Sequence, residues 1–253
     1  MIAVLVRFFY HRVIGRPGNL PLVYVDADTA VNSNRETLFA MSNQVPGLEA
    51  LQRLKDGNER FASNVRALES LLSHLNRSEP HVGQKPVAII LGCSDSRVPA
   101  EAIFDQGLGD LFVIRVAGNI VAPSQIGSVE FAVSRYGTRL VVVLGHTHCG
   151  AVTATIDELV RGDDNPSENI RSIVSRVRPA IEPLLSTDLR LKPDELLNAC
   201  VRANVRMSAD RLRHGSAIIE DLIANDGLLV VGAEYSLETA RVDFFDGVPR
   251  EVR

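Results

Sequence analysis

The chain of 253 residues is 45% hydrophobic and 23% charged, so it is long and apolar enough to form one large hydrophobic core or two small ones. Its net charge of −4 and its pI near 5.9 give no electrostatic reason to expect nucleic acid or an anionic membrane as a partner. No apolar run reaches the roughly 18 residues that span a bilayer. We therefore expect neither a nucleic acid nor a membrane as a partner.

The chain contains three cysteines, Cys93, Cys149 and Cys200. An odd, sparse set of cysteines is not typical of a disulfide framework. Cys93 and Cys149 each lie near an aspartate or a histidine at metal-ligand spacing, and metal binding requires reduced thiols. We therefore expect a reducing, cytoplasmic compartment. Cys200 lies in a helical stretch without such neighbours and is interpreted as a packing residue.

Residues 1–45 show weak patterning and are interpreted as an N-terminal arm of unknown role. Residues 1–15 are apolar and aromatic but carry Arg7, His11 and Arg12, which is typical of neither a signal peptide nor a membrane anchor. Packing on the body of the protein or on a second subunit is the favoured interpretation, and targeting is the alternative. Residues 46–253 are interpreted as a single domain.

That domain begins with a helical pattern. Apolar residues recur at helical spacing and predict a first helix over Ala50–Ala62. A second short helix is predicted at Ala67–Leu75, followed by a loop at Asn76–Lys85. Further helical patterns are predicted at Gln125–Tyr136, Ala151–Arg161, Glu168–Leu185 and Pro193–Asn225, the last broken near Gly215.

Short aliphatic runs alternate with these helices. They predict strands at Val87–Leu91, Leu111–Val116, Leu140–Leu144 and Leu228–Ala233, with a fifth at Arg241–Phe245. Alternating strands and helices indicate an α/β fold with a mostly parallel sheet and right-handed crossovers. The short polar connection Glu234–Thr239 favours an antiparallel edge strand as the last one.

Two short motifs carry the chemistry: CSDSR at 93–97 and HTHCG at 146–150. Each follows a predicted buried strand, and the span between them is long enough for one strand–helix–strand passage, so both can meet at one edge of the sheet. Two thiolates and one imidazole are a donor set that zinc prefers. Three protein ligands leave a fourth position for water, which is typical of a catalytic zinc site. Because Cys149 precedes a helix, we expect its thiol pKa to be lowered.

Two roles remain open for Asp95 at this point. It can occupy the fourth position on the metal and close the site, or it can lie beside the bound water and accept a hydrogen bond from it. A bidentate pair with Arg97 would hold Asp95 off the metal and keep it ionised. His148 is interpreted as a residue at the rim of the site, and the sequence identifies no better proton shuttle.

Over 93–101 (CSDSRVPAE) and 145–150 (GHTHCG) the sequence resembles the β-class carbonic anhydrases. The similarity extends from about Gly47 to Phe245 and includes 51–61 (LQRLKDGNERF) and 105–112 (DQGLGDLF). Residues 1–45 lie outside it. The resemblance implies four parallel core strands with a fifth strand at one edge, in an obligate dimer that often pairs into tetramers.

The resemblance also implies a set of site residues. Cys93, His146 and Cys149 would hold one Zn²⁺ per subunit, with Asp95 as a fourth ligand only in a closed state. Asp95 and Arg97 would form the catalytic pair. We expect the open state at neutral pH.

The implied substrate pocket contains Gln84, Phe112, Ala117, Phe131 and Gly150. Gln84 matches a glutamine that reaches in from a dimer partner. Phe131 lies where some relatives carry tyrosine, so a hydroxyl donor is missing there.

One departure from the family concerns inhibition. Some members bind bicarbonate at an inhibitory site built partly from a tryptophan three residues before the first ligand. Ile90 occupies that position, and the chain contains no Trp. We therefore expect that inhibitory site to be absent.

The expected function is zinc-dependent, reversible hydration of carbon dioxide to bicarbonate and a proton. One alternative is a hydrolase of carbon disulfide or carbonyl sulfide on the same scaffold, because the metal ligands do not distinguish the two. A second alternative is a non-catalytic assembly protein stabilised by zinc. That alternative predicts loss of the Asp95–Arg97 pair, and both residues are present.

Overall fold

The structure is a computed structural model that describes residues 45–67, 84–162 and 167–250. The predicted N-terminal arm and most of the predicted Ala67–Leu75 helix lie outside the described residues. Within the described ranges, no helix is long and apolar enough to cross a membrane.

The elements alternate along the chain as the sequence predicts. In chain order they are α1 (Gly47–Ala62), β1 (Ala88–Gly92), α2 (Ala100–Ile103), β2 (Leu111–Arg115), α3 (Pro123–Tyr136), β3 (Leu140–His146), α4 (Gly150–Arg161), α5 (Glu168–Leu185), α6 (Pro193–His214), α7 (Ala217–Asn225), β4 (Leu229–Tyr235) and β5 (Val242–Asp246). Two 3₁₀ turns, at Ala117–Asn119 and Asp188–Leu191, and the four-residue helix α2 were not predicted.

The five strands form one sheet in the order β2-β1-β3-β4-β5. The first four strands of this order are parallel, and β5 pairs antiparallel with β4. The predicted α/β fold with an antiparallel edge strand is therefore confirmed. Strands β3 and β4 run two residues further than predicted because Gly145 and His146 continue the ladder with Glu234 and Tyr235.

The hydrophobic core covers both faces of the sheet. Every residue of β1 and β3 is buried, which explains why these strands are continuous aliphatic runs rather than alternating ones. One face packs against α1 and α2, and the other against α3, α6 and α7. A third apolar cluster joins α4, α5 and α6 and includes Cys93, Cys149 and Cys200.

Helix α6 lies very close to the sheet. A Cβ atom on Gly145 of β3 would lie 2.5 Å from Val205 Cγ2, and one on Gly232 of β4 would lie 2.8 Å from Val205 Cγ1. Only glycine leaves room for the helix at these two positions. This close approach brings the middle of α6 to the carboxyl end of the sheet.

Candidate metal centre

Three buried donors meet at the carboxyl ends of β1 and β3. Cys93 directly follows β1, His146 ends β3 and Cys149 precedes α4. The two strands are neighbours, with Gly92 paired to Leu144, so their ends lie side by side. The two sulfur atoms and a ring nitrogen of His146 all lie within 4.8 Å of one another.

The spacing of the donors fits a tetrahedral metal. The sulfur atoms of Cys93 and Cys149 are 4.0 Å apart. Two thiolates on a tetrahedral zinc, each bound at about 2.3 Å, lie about 3.8 Å from each other. The donor set predicted from the sequence is therefore assembled in a geometry that zinc can occupy with little movement.

The histidine presents a free nitrogen to this centre. His146 Nδ1 lies 2.8 Å from the carbonyl oxygen of Thr147, which assigns the ring proton to Nδ1 and the lone pair to Nε2. Nε2 is buried and has no hydrogen-bond partner among the residues that the structure describes. A buried polar atom of this kind is rare unless something binds it, and a metal ion satisfies it.

The two thiols influence each other strongly. The pKa of Cys93 is lowered to about 4, chiefly because the Cys149 thiol donates to its sulfur, with smaller contributions from His146 and the N–H of Gly118. The pKa of Cys149 is raised by that neighbouring sulfur and by burial. The expected lowering at the start of α4 is therefore wrong for the metal-free protein. The N–H groups of Ala151 and Val152 do lower the pKa of Cys149. Their effect is smaller than the rise that comes from placing a second negative charge beside Cys93.

Asp95 and Arg97 form a bidentate pair beside these donors. Asp95 Oδ1 accepts from Arg97 Nε at 2.9 Å and from its backbone N–H at 3.0 Å, and Oδ2 accepts from Nη2 at 2.8 Å. These bonds hold the pKa of the Asp95 carboxyl well below its usual range. Oδ2 also lies 3.9 Å from His146 Nε2, so an ionised carboxylate stands next to the donor group.

Several supporting residues were not predicted. Arg115, at the end of β2, donates to the backbone oxygens of Cys93 and Asp95 at 3.1 and 2.5 Å. The N–H of Gly118 donates to Cys93 Sγ at 3.4 Å, and Asn204 of α6 holds the Gly118 carbonyl at 2.7 Å. Gly118 has a φ of 69°, a conformation that favours glycine. A glycine shortly after a predicted strand is therefore the sequence feature that could have indicated this turn. Asn204 carries no local signal because its partner is 86 residues away.

The predicted pocket residues fall into two groups. Gln84 donates from Nε2 to the hydroxyl of Tyr136 at 2.6 Å, and the Tyr136 ring contacts those of Phe112 and Phe131 with centroids 6.1 and 5.8 Å away. Tyr136 was not predicted. Ala117, just before Gly118, and Gly150, the first residue of α4, belong instead to the segments that carry the metal donors.

Comparison with known proteins agrees with this site. The carbonic anhydrase family profile matches residues 88–242. Carbonic anhydrase 2 of Mycobacterium tuberculosis is 39% identical over 208 residues, which are 82% of this chain and 97% of that protein. The β-carbonic anhydrase CcaA is 26% identical with a TM-score of 0.61, over 79% of this chain and 93% of that one. A tetrameric β-carbonic anhydrase from Sordaria macrospora shares the fold at 23% identity and a TM-score of 0.58, over 74% of this chain and 95% of that one.

A mostly parallel α/β sheet whose strand ends carry a Cys–His–Cys group able to hold a metal defines a class of metal-binding α/β proteins. Together with the sequence matches, this arrangement shows that the chain belongs to the β-carbonic anhydrase family. The chain is therefore a carbonic anhydrase enzyme, and zinc is the metal that Cys93, His146 and Cys149 are positioned to hold. The relatives reported above are all named carbonic anhydrases, and they give no support to either alternative function.

Proposed function

We propose that this enzyme catalyses the reversible hydration of carbon dioxide to bicarbonate and a proton, with Asp95 and Arg97 as its catalytic pair in the open state. The observation that carries this proposal is the bidentate bond from Arg97 to both oxygens of Asp95. It keeps the carboxylate ionised and engaged beside the metal donors instead of bound to the metal.

Cys93, His146 and Cys149 would hold the zinc, which would lower the pKa of a water molecule and so supply a nucleophile near neutral pH. Asp95, kept ionised beside these donors, would accept a hydrogen bond from that water and orient it toward the substrate. Arg97 fixes the position and the charge of Asp95. Apolar side chains suit a linear, nonpolar substrate, and Phe112, Ala117, Phe131 and Gly150 are proposed to line its pocket.

We further propose that the active enzyme is a homodimer or a homotetramer and that Gln84 of one subunit reaches the pocket of the other. Gln84 and Phe131 are both exposed and meet at Tyr136. Phe112, whose ring also contacts Tyr136, lies in strand β2 at one edge of the sheet. An aromatic surface next to a sheet edge is a suitable place for a second copy of the chain.

Two further parts of the proposal follow from single residues. The thiols of Cys93 and Cys149 must stay reduced to hold the metal, which favours a cytoplasmic enzyme.

Ile90 is fully buried in β1, where an inhibitory bicarbonate site would need a tryptophan. Inhibition by bicarbonate should therefore be hyperbolic, and a sigmoidal dependence would contradict the proposed absence of that site.

The deciding experiment combines metal analysis with stopped-flow measurement of CO₂ hydration across pH. Sulfide release from carbon disulfide and carbonyl sulfide is measured on the same preparation. We expect one zinc per subunit and CO₂ hydration that rises with pH. Full zinc occupancy without CO₂ hydration at any pH would overturn the proposal, and sulfide release in its place would support the hydrolase.

A further inference from the structure

One carboxylate fastens the loop between two of the metal ligands. Glu238 lies in the connection between β4 and β5. Its Oε2 accepts from Thr147 Oγ1 at 2.9 Å and from Ser236 Oγ at 2.9 Å, and its Oε1 lies 2.6 Å from His148 Nε2. Glu238 therefore contacts both residues that separate His146 from Cys149.

Thr147 links this carboxylate to the ligand itself. Its hydroxyl donates to Glu238 and accepts from the N–H of Leu237 at 3.1 Å. Its backbone N–H donates to the Tyr235 carbonyl at 3.0 Å, and its own carbonyl accepts from His146 Nδ1 at 2.8 Å. Any shift of Thr147 therefore changes the orientation of the imidazole that faces the metal.

The backbone of this loop needs such support. His148 has a φ of 54°, in the left-handed region that is unfavourable for residues other than glycine. Strain of this kind persists only where surrounding contacts hold it. The contact between the His148 ring and Glu238 is one that can hold this conformation.

Glu238 is suited to this task by its charge. Its own backbone N–H, the hydroxyls of Ser236 and Thr147 and the His148 ring lower its pKa to about 2. The carboxylate therefore remains ionised, and an acceptor, at neutral pH. Two oxygens, each able to accept more than one hydrogen bond, serve three side-chain partners at once.

We propose that Glu238 is a positioning residue for the metal centre: by holding Thr147 and His148 it fixes the loop that presents His146 and Cys149 and so slows the release of zinc. The proposal rests on the zinc site of the proposed function but not on the reaction that occurs there. Replacing a group that hydrogen-bonds directly to a metal ligand typically changes metal affinity ten- to a hundredfold, and Glu238 acts one contact further away, through Thr147 and His148.

The test is the rate at which the purified full-length zinc enzyme releases its metal to a chromogenic chelator. Glu238→Gln keeps the side-chain volume but leaves one acceptor oxygen, so we expect release to be about tenfold faster. Glu59→Gln is the matched control. Glu59 is exposed to a similar extent, 60% against 52% for Glu238, and it pairs with Arg241 near the same connection.

The control variant should release zinc at the wild-type rate. Zinc release from Glu238→Gln at the wild-type rate would overturn the proposal. An equal increase in the rate of zinc release in Glu238→Gln and Glu59→Gln would do the same. Thr147→Val provides a second route to the same question, because it removes the hydroxyl that joins Glu238 to the loop. We expect the effects of Thr147→Val and Glu238→Gln to be less than additive, and full additivity would show that they act separately.

A spectroscopic measurement separates positioning from general destabilisation. Cobalt(II) substituted for zinc reports ligand geometry through its visible absorption bands. We expect these bands to shift in Glu238→Gln and to be unchanged in Glu59→Gln, and unshifted bands in Glu238→Gln would count against a positioning role. Neither measurement requires CO₂ hydration, so failure of the proposed function and failure of this inference give different results.

Discussion

At the scale of single residues, Arg97 decides what Asp95 can do. A carboxylate two residues after a cysteine ligand is close enough to compete for the metal, yet both of its oxygens are engaged by the guanidinium. The folded-state pKa of Asp95 lies below its usual range. Since an unperturbed aspartate titrates at about pH 3.9, this pair contributes stability above about pH 4 and loses that contribution as pH falls further.

Asp95→Asn tests the role proposed for this carboxylate. The amide keeps the shape of the side chain but removes the charge and one acceptor, so we expect hydration to slow on the order of a hundredfold while zinc remains bound. Stopped-flow assays and metal analysis of the same sample measure both quantities. Turnover at the wild-type rate would remove Asp95 from the proposed mechanism.

Metal removal should distinguish the three cysteines. Burial raises the pKa of the Cys200 thiol to about 11, so it stays protonated at pH 8 and unreactive. When zinc is chelated, we expect iodoacetamide to alkylate Cys93, whose pKa is lowered in the metal-free protein, before Cys149, whose pKa is raised. Peptide mass spectrometry reads each site separately. Alkylation of Cys200 as fast as Cys93 would contradict this assignment.

At the scale of elements, the strands that carry the site were predicted because they are buried on both faces. The runs before Cys93 and His146 are aliphatic throughout, and the motifs that follow them are local in sequence. The turn Ala117–Asn119 and the four-residue α2 are too short to show a period, so they were missed. Asn204 and Glu238 were missed for another reason: their partners lie 86 and about 90 residues away in the chain, and only the folded sheet brings them together.

The close packing of α6 on β3 can be tested through glycine. Gly145→Ala places a methyl group 2.5 Å from Val205 Cγ2, so we expect a loss of about 1–3 kcal/mol in the free energy of unfolding. Gly127→Ala in α3 is the control, since nothing lies within 4 Å of the added carbon. It should stabilise the protein by about 0.4–1 kcal/mol. Urea unfolding measures both, and equal stability of the two variants would contradict the close approach.

At the scale of the whole molecule, the assembly state stays a prediction. Phe131 is 54% exposed and packs edge-on against Tyr136, the residue that Gln84 contacts. If a second copy of the chain covers this aromatic surface, disrupting the surface should separate the subunits. Separation would also remove Gln84 of one subunit from the pocket of the other. The proposed assembly and the proposed pocket therefore depend on the same surface.

Phe131→Glu tests that dependence. A charge on this surface should convert the assembly to monomers and lower hydration activity together, as light scattering and stopped-flow assays would measure. Leu191→Glu is the control, because Leu191 is 74% exposed in the 3₁₀ turn Asp188–Leu191. A wild-type protein that is a fully active monomer would contradict the prediction, as would a Phe131→Glu variant that remains assembled.

The metal donors come from the ends of two different strands, and this has a consequence for how the enzyme is made. A chain still being synthesised lacks a complete donor set until Cys149 has emerged and β3 has aligned beside β1. A slip of one residue between those strands would turn every side chain of the slipped strand to the opposite face and separate the sulfur atoms from the imidazole. The complete donor set therefore exists only when β1 and β3 are paired in the register of the folded sheet.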